Sequence, residues 1–388
     1  MITINDLDIL RTEEVRRAID ENIERDPAKI ALSRGVPHSQ IVATQVKYLQ
    51  RARRKLPALY EVRCIIPPRA FEQCSSQESA QRKPLSGGAV LDMTCGLGID
   101  TMALAKHFER VVTVERDEAL SEVVRYNMSL LGITNVEVVT ASSEEYVTTT
   151  KEHFDWVFVD PDRRSSEGKK MVCMEDCSPN VVELMPRLRE IANRVAIKLS
   201  PMFDCAEAFR LCSPAEVEVV SIGGECKEVN IYTNAEREML RIAVIGEGEW
   251  NFSIESMHEE PSVEDFNPAE YRYLLVPDVA LQKARVAIAA LKPYAAIWSN
   301  NGYAFARELP EVALPARAFE IESIELYRPK ELKRRLKGEG VEFMKRDTPL
   351  SIDAVRRATG TRAGGDRLVA LTAIAGDTWV VHLKPLPR

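Results

Sequence analysis

Residues 90–100, Val-Leu-Asp-Met-Thr-Cys-Gly-Leu-Gly-Ile-Asp, constrain the fold more than any other stretch of the 388-residue chain. Val90 and Leu91 begin a short apolar run that reads as a buried strand, Gly96 and Gly98 allow a tight turn, and Thr101 to Phe108 carry helical periodicity. A strand that enters a helix through such a turn gathers main-chain N–H groups and the positive helix end where a ligand can come close. The alternation then continues. Strands are expected at Val111–Glu115, Val136–Thr140, Trp156–Asp160 and Val195–Leu199, with helices at Glu118–Leu131 and Pro179–Ile191. This order predicts an α/β fold with a mainly parallel, doubly wound sheet. Val217–Ile222 and Val229–Thr233, separated by Gly223-Gly224, read as a closing antiparallel pair.

The flanks differ in character. Residues 1–70 read as a helical N-terminal region in which Thr12 caps a helix with Glu13 and Glu14 in its first turn, Asp26-Pro27 starts a second, and Ser39 opens a third. That third helix ends in the basic run Arg51-Ala52-Arg53-Arg54-Lys55, which is either a solvated helix end or a phosphate-contacting patch. Ser75 stands three residues before Glu78, a capping-box spacing for a short helix entering the glycine turn. The sheet domain is placed at 71–268, because the acidic, proline-containing segment Glu247–Pro268 marks a boundary. Residues 269–315 contain a short extended piece, a Pro277-Asp278 turn and an alanine-rich helix. Residues 316–388 form a small α+β module: strand Phe319–Leu326, basic helix Lys330–Leu336, strand Val341–Met344, helix Ser351–Ala358, and the strand pair Leu368–Ile374 and Trp379–Leu383.

Composition narrows the chemistry. The eight cysteines are scattered without a Cys-x-x-Cys pair, so neither a disulfide scaffold nor a bound metal is expected. No apolar run reaches a membrane span, and Asp6 and Asp8 occupy the stretch where a signal peptide would be basic and then apolar. A soluble, cytoplasmic protein with no membrane partner is the expectation. A net charge of −7 gives no general attraction for polyanions, so any nucleic-acid contact must be local.

The glycine turn admits two cofactor classes. A dinucleotide site wants a third glycine, and here Gly96-Leu97-Gly98 leads to Thr101 instead. Asp92 ends the first strand and Glu115 the second. A carboxylate at the second position suits a ribose diol. One at the first would repel a pyrophosphate but can hold the ammonium of a methionine moiety, directly or through water. Asp92-Met93-Thr94-Cys95-Gly96-Leu97-Gly98 resembles the first motif of class I S-adenosylmethionine-dependent methyltransferases, Glu115 their ribose-binding acid, and Ala141-Ser142 the pair beside the adenine. The resemblance implies a Rossmann-like domain with S-adenosylmethionine held by Asp92, Thr94, Cys95, Gly96, Gly98, Glu115, Arg116, Ala141 and Ser142. It also implies a catalytic loop at Asp160-Pro161-Asp162-Arg163, with Asp160 and Pro161 as its catalytic pair.

A closer resemblance spans nearly the whole chain. Glu72-Gln73-Cys74-Ser75-Ser76, Asp160-Pro161-Asp162-Arg163-Arg164, Lys198-Leu199-Ser200-Pro201-Met202 and Gly364-Gly365-Asp366 are similar to a bacterial group of methyltransferases that end in a THUMP-like domain preceded by a small ferredoxin-like piece. This implies an RNA substrate, with tRNA foremost, and gives Gln73, Ser75 and Ser76 a place at the methionine end of the cofactor. Asp162 and Arg163 replace the second proline and the aromatic of exocyclic-amine methyltransferases, and an arginine plane can stack on a base or hold a phosphate. Asp162, Arg163 and Arg164 are therefore expected to meet the substrate, while Arg54, Lys333 and Arg334 guide its backbone. Methylation at base C5 needs a cysteine nucleophile. Matching the prolines puts Leu199 at that place, with Cys205 out of register, so nitrogen or oxygen is the expected acceptor. The alternatives are an RNA-binding protein with a vestigial cofactor pocket and a small-molecule methyltransferase.

Overall fold

Caps decide where the N-terminal helices begin. In the computed structural model, which describes residues 2–163, 174–262 and 265–386, Thr3 and Asp6 form a capping box on α1 (Ile4–Arg11). Thr12 caps α2 (Glu13–Glu21), and Asp26 caps α3 (Pro27–Ala31). The long α4 (Ser39–Lys55) has no side-chain cap: His38 precedes it at φ 45°, and the Ser39 hydroxyl donates to Ala31 O. After α5 (Pro57–Glu61) and α6 (Pro68–Gln73) comes α7 (Gln77–Gln81). Its cap is Ser76, which accepts from Ser79 N at 3.1 Å, so the capping box expected at Ser75 and Glu78 does not form. The helix starts one residue later than the spacing suggested. Ser75 is thereby free to serve elsewhere.

The chain divides into two units, one of residues 1–199 with Ile231–Asn234 and the other of Ser200–Asn230 with Ala235–Arg388. In the first unit β1 (Gly87–Asp92), α8 (Ile99–Leu104), β2 (Phe108–Glu115), α9 (Glu118–Leu130), β3 (Val136–Thr140), α10 (Ser143–Thr149) and β4 (Phe154–Val159) alternate. The short antiparallel pair β5 (Asp162–Arg163) and β6 (Cys177–Ser178), then α11 (Val181–Ile191) and β7 (Ala192–Leu199), complete it. The strand order is β7-β4-β1-β2-β3, and every neighbouring pair is parallel. The order reverses direction at β1, which opens a crevice at the carboxyl ends of β1 and β4. Helix α10 and the β5–β6 pair were not anticipated.

Two buried amide side chains hold the extended segment between α5 and α6. Asn127, fully buried on α9, accepts from Ile65 N and donates to Ile65 O, both at 2.9 Å, as a neighbouring strand would. Gln45 of α4 does the same for Ile66 at 3.0 and 3.3 Å. Around this clamp Val15, Val42, Val46 and Leu49 share one core with Leu97 and Ile99 of the glycine turn and with Val123, Val124 and Met128 of α9. The helical region is thus packed against the loop that the sequence singled out.

The second unit begins with α12 (Cys205–Cys212) and β8 (Ala215–Ile222), and Gly223-Gly224 leads into β9 (Glu225–Thr233), whose last three residues count with the first unit. The expected closing pair is extended by β10 (Met239–Val244), parallel to β8, and β11 (Gly248–Phe252), antiparallel to β10. The C-terminal part has β12 (Tyr273–Pro277), α13 (Val279–Lys283), α14 (Ala287–Leu291), β13 (Ala296–Ile297), β14 (Ala304–Ala306), β15 (Ala316–Leu326), α15 (Pro329–Leu336), β16 (Gly340–Lys345), α16 (Ile352–Thr359), β17 (Arg362–Ile374) and β18 (Asp377–Pro385). Its strands form one sheet of order β13-β14-β12-β15-β18-β17-β16. The single alanine-rich helix expected after Pro277 is two helices, because Arg285 adopts φ 58° between them. Alternation along β17 sends Leu368 and Ala370 toward an aromatic cluster of Phe266, Tyr271, Trp298, Phe305 and Trp379. Val369 and Leu371 face Leu332, Leu336 and Val355 of α15 and α16. Among the described residues no helix is long and apolar enough to cross a membrane.

The clamp is the feature whose loss is easiest to read. Asn127→Ala leaves the N–H and C=O of Ile65 without their partner, and it is expected to lower unfolding free energy by about 2–4 kcal/mol in denaturant titrations. A loss below about 0.5 kcal/mol, the size of an ordinary surface substitution, would show that the clamp does not matter.

Candidate active site

Asp92 ends β1 beside Thr113 on β2 and Phe158 on β4. It is fully buried. One carboxylate oxygen accepts from Thr94 N at 3.0 Å, and the other accepts from the hydroxyls of Thr101 and, at 3.1 Å, Thr113. Asp92 thus joins the glycine turn, the first turn of α8 and β2. It lies beneath the loop and is not among the residues that line the cavity described below. Burial pushes its carboxyl up to about 6 in spite of the three donors.

The loop itself is shaped by Gly96 at φ 55° and Gly98 at φ 81°. A Cβ at Gly98 would also stand 3.3 Å from Met128 and Val124, so the turn needs glycine there both for conformation and for space. Gly96 N donates to Glu115 at 3.0 Å, and Asp117 N donates to the other Glu115 oxygen at 2.9 Å. These bonds leave lone pairs for a diol, while burial raises the Glu115 carboxyl. Thr94 Oγ1 accepts from Asp160 N at 2.7 Å, tying the glycine turn to the loop after β4.

A cavity of about 220 Å³ opens here. Its walls include Gln73, Cys74, Ser75, Thr94, Cys95, Gly96, Asp100, Glu115, Arg116, Ser142, Asp160 and Asp162. The structure thereby brings together residues from five separate stretches of the chain. Asp162 is exposed at its rim, in β5. Ser142 doubles as the cap of α10, accepting from Glu145 N. Gly98, Ala141 and Pro161 are not among the lining residues; Ala141 N donates to Glu115 O, and Gly98 acts through the bend it permits. Ser76 is likewise absent from the lining and engaged as a cap. Arg164 lies outside the described residues, and of Arg163 only the backbone is described, paired with Cys177. Lys333 and Arg334 are exposed on α15 of the second unit, where with Lys330 and Lys337 they border a shallow depression. Arg54 is exposed at the end of α4.

Three charged residues were not anticipated. Asp100, in the first turn of α8, accepts from Lys83 at 2.6 Å and from the Ser75 hydroxyl at 2.7 Å. Lys198, at the end of β7, donates to Ser75 Oγ at 2.7 Å, stands 3.4 Å from Asp100 and pairs with Asp160. Burial alone would push the Asp100 carboxyl up, but the ammonium groups of Lys198 and Lys83 and the Ser75 hydroxyl outweigh it and hold the carboxyl well below the usual range. The signal in the sequence was the charge itself: Lys198 interrupts the otherwise apolar Val195–Leu199 run, and a buried lysine needs a partner.

The raised Asp92 carboxyl has a stability consequence. Its folded value, about 6, exceeds the ordinary 3.8, so the stability it contributes is present at low pH and is lost as pH rises through about 6. Asp92→Asn is therefore expected to be more stable than wild type at pH 8, by up to about 3 kcal/mol. Denaturant unfolding at pH 8 and near pH 4 should show the gain at the higher pH only; a variant less stable at both would contradict this reading.

Residues 316–385 match the family model described as THUMP domain-like, and residues 68–175 match that described as conserved hypothetical protein 95. An uncharacterised S-adenosylmethionine-dependent methyltransferase of Mycobacterium tuberculosis is 24% identical over 320 residues, 80% of this chain and 84% of its own length. A crystal structure from Porphyromonas gingivalis W83, described as a candidate methyltransferase, is similar with a TM-score of 0.81 and 26% identity over 96% of this chain and 98% of that one. A shorter stretch, 25% of this chain, is 38% identical over 101 residues to a 23S rRNA uracil-C5 methyltransferase of Klebsiella pneumoniae, covering 21% of that protein. With the parallel sheet, the glycine turn and the acids ending β1 and β2, these similarities identify the chain as an S-adenosylmethionine-dependent methyltransferase whose C-terminal module is THUMP-like.

Proposed function

We propose that this enzyme methylates a nitrogen or oxygen of structured RNA such as tRNA, with Asp160 and Pro161 at the acceptor. S-adenosylmethionine, when bound, supplies a methyl group already activated on a sulfonium, so the protein's task is alignment. Glu115 has lone pairs for a ribose diol, and Thr94, Cys95, Gly96, Arg116 and Ser142 line the same cavity. Ala141 donates its backbone N–H to Glu115 O, and Gly98 permits the bend of the turn. Gln73 and Ser75 suit the methionine end, next to Asp160. Asp92 serves by holding the turn. In this reading Asp160, which lines the cavity, accepts a hydrogen bond from an N–H or O–H of the acceptor, and Asp162, Arg163 and Arg164 after it in the chain are the substrate ligands.

The choice of nitrogen or oxygen rests on the cysteines. Leu199 stands where a C5 enzyme would carry its nucleophile. Cys205 is buried in α12, with its thiol pushed up to about 12. Cys74, the thiol beside Ser75 in the cavity wall, is also raised by burial. A thiolate is the nucleophile, so neither group is poised for attack. C5 methylation is the second reading, favoured by the similarity to the Klebsiella pneumoniae enzyme. The RNA assignment is supported by the basic face of α15 in the THUMP-like module, where Lys330, Lys333, Arg334 and Lys337 meet solvent in a protein whose net charge is −7.

Mass spectrometry of nucleosides in RNA from a strain lacking the protein, incubated with enzyme and cofactor, is expected to show a new N- or O-methylated nucleoside. Asp160→Ala should reduce its yield by about 100-fold. A gain of 5-methyluridine would instead establish the C5 reading, and label confined to small molecules would remove RNA as the substrate. Joint substitution of Lys333 and Arg334 by alanine is expected to weaken RNA binding and to reduce the slope of log K against log salt by about 1.5, as the loss of two phosphate contacts requires. An unchanged slope would exclude α15 from the interface.

A further inference from the structure

We propose that Lys198 is a positioning residue for methyl transfer: its ammonium, braced by Ser75 and Asp100, fixes the Asp160 carboxylate at the place where the acceptor must be aligned. The inference rests on the reading of Asp160 as the group that meets the acceptor. Its basis is the arrangement of bonds. The parallel register of β4 and β7 sets Val159 beside Ile197, so residue 160, just after β4, lies next to residue 198 near the end of β7. Lys198 has three N–H donors. They face Ser75 between α6 and α7, Asp100 in the first turn of α8, and Asp160 after β4.

Each of these partners is itself held. Asp100 is bound by Lys83 and by the Ser75 hydroxyl. Asp160 donates its backbone N–H to Thr94 Oγ1 of the glycine turn, so the residue is constrained at both main chain and side chain. Lys198 is thus the element through which the cofactor loop, the segment ahead of it and the acceptor loop share one geometry. Its side chain is 11% exposed, against 35% for Asp160. The lysine is the buried support, and the carboxylate is the end that faces the cavity. Its donors are directed at these three acceptors, and its route to the substrate in this proposal is through Asp160.

Lys198→Met removes the charge at nearly constant length, and Asp100 still has Lys83 and Ser75, so the variant should fold. Lys198→Met and Asp160→Asn, singly and together, are to be compared by denaturant unfolding. The expected result is coupling: the unfolding constant of the double variant departs by about tenfold from the product of the single effects. In single-turnover transfer to RNA from a strain lacking the protein, Lys198→Met should fall about 100-fold at saturating RNA. Its affinity for S-adenosylhomocysteine by calorimetry should stay near that of wild type, and Lys198→Arg should recover part of the rate. Multiplicative unfolding effects overturn the proposal. So does wild-type transfer by Lys198→Met, or a loss of cofactor affinity that matches its loss of rate. If wild-type protein binds cofactor but labels no RNA, the RNA reading fails on its own, and the unfolding comparison still decides whether Lys198 holds Asp160.

Discussion

The parallel register of β1 with β2 and β4 is the constraint on which the site depends. Because Asp92 pairs with Thr113 on one side and Phe158 on the other, β2 ends two residues and β4 one residue beyond it, and the groups that follow the strands gather at the same edge of the sheet. Glu115 completes β2 within reach of Gly96, and Asp160 follows β4 within reach of Thr94. A slip of one residue in either pairing would turn Asp92 out of its buried position and aim these groups at opposite faces. The glycine turn then has one conformation available, bounded below by Asp92 and laterally by the packed side chains of α9.

Electrostatics divides the site into two layers. The lower layer is Asp92, a buried carboxylate whose charge is costly and is offset by hydrogen bonds from Thr94, Thr101 and Thr113. The upper layer pairs two ammonium groups, Lys83 and Lys198, with two carboxylates, Asp100 and Asp160. Buried ion pairs contribute little net stability over apolar residues of the same volume, but breaking one partner is destabilising. Such a cluster is best understood as a way to hold groups in place.

Much of this is legible in the sequence. The periods of 2 and 3.6, the glycine turn and the acids ending β1 and β2 are local signals, and they carried the sheet and the cofactor loop. Where the reading slipped, the cause was nonlocal or a near-equal choice. Ser75 and Ser76 can both cap α7, and the competing bonds to Asp100 and Lys198, distant in sequence, decide between them. Arg285 breaks the alanine-rich helix through a left-handed backbone that no side-chain pattern announces. The buried network at Lys83, Asp100 and Lys198 joins residues more than a hundred positions apart, counting from Lys83 to Lys198. By contrast, the alternation in Met239–Val244 was there to be read as β10: its outward Arg241 pairs with Glu216 on β8.

The two units carry different features. The first holds the cavity, and the second carries the THUMP-like module with its basic helix and its own sheet. The central claim is that the cavity bounded by the glycine turn, Glu115 and Asp160 is the cofactor site. A crystal structure with S-adenosylhomocysteine tests it most directly. The account predicts the ribose hydroxyls on Glu115, the sugar and base against Thr94–Gly96 and Ser142, and the sulfur facing Asp160. Ligand bound elsewhere, or with its ribose away from Glu115, would contradict it.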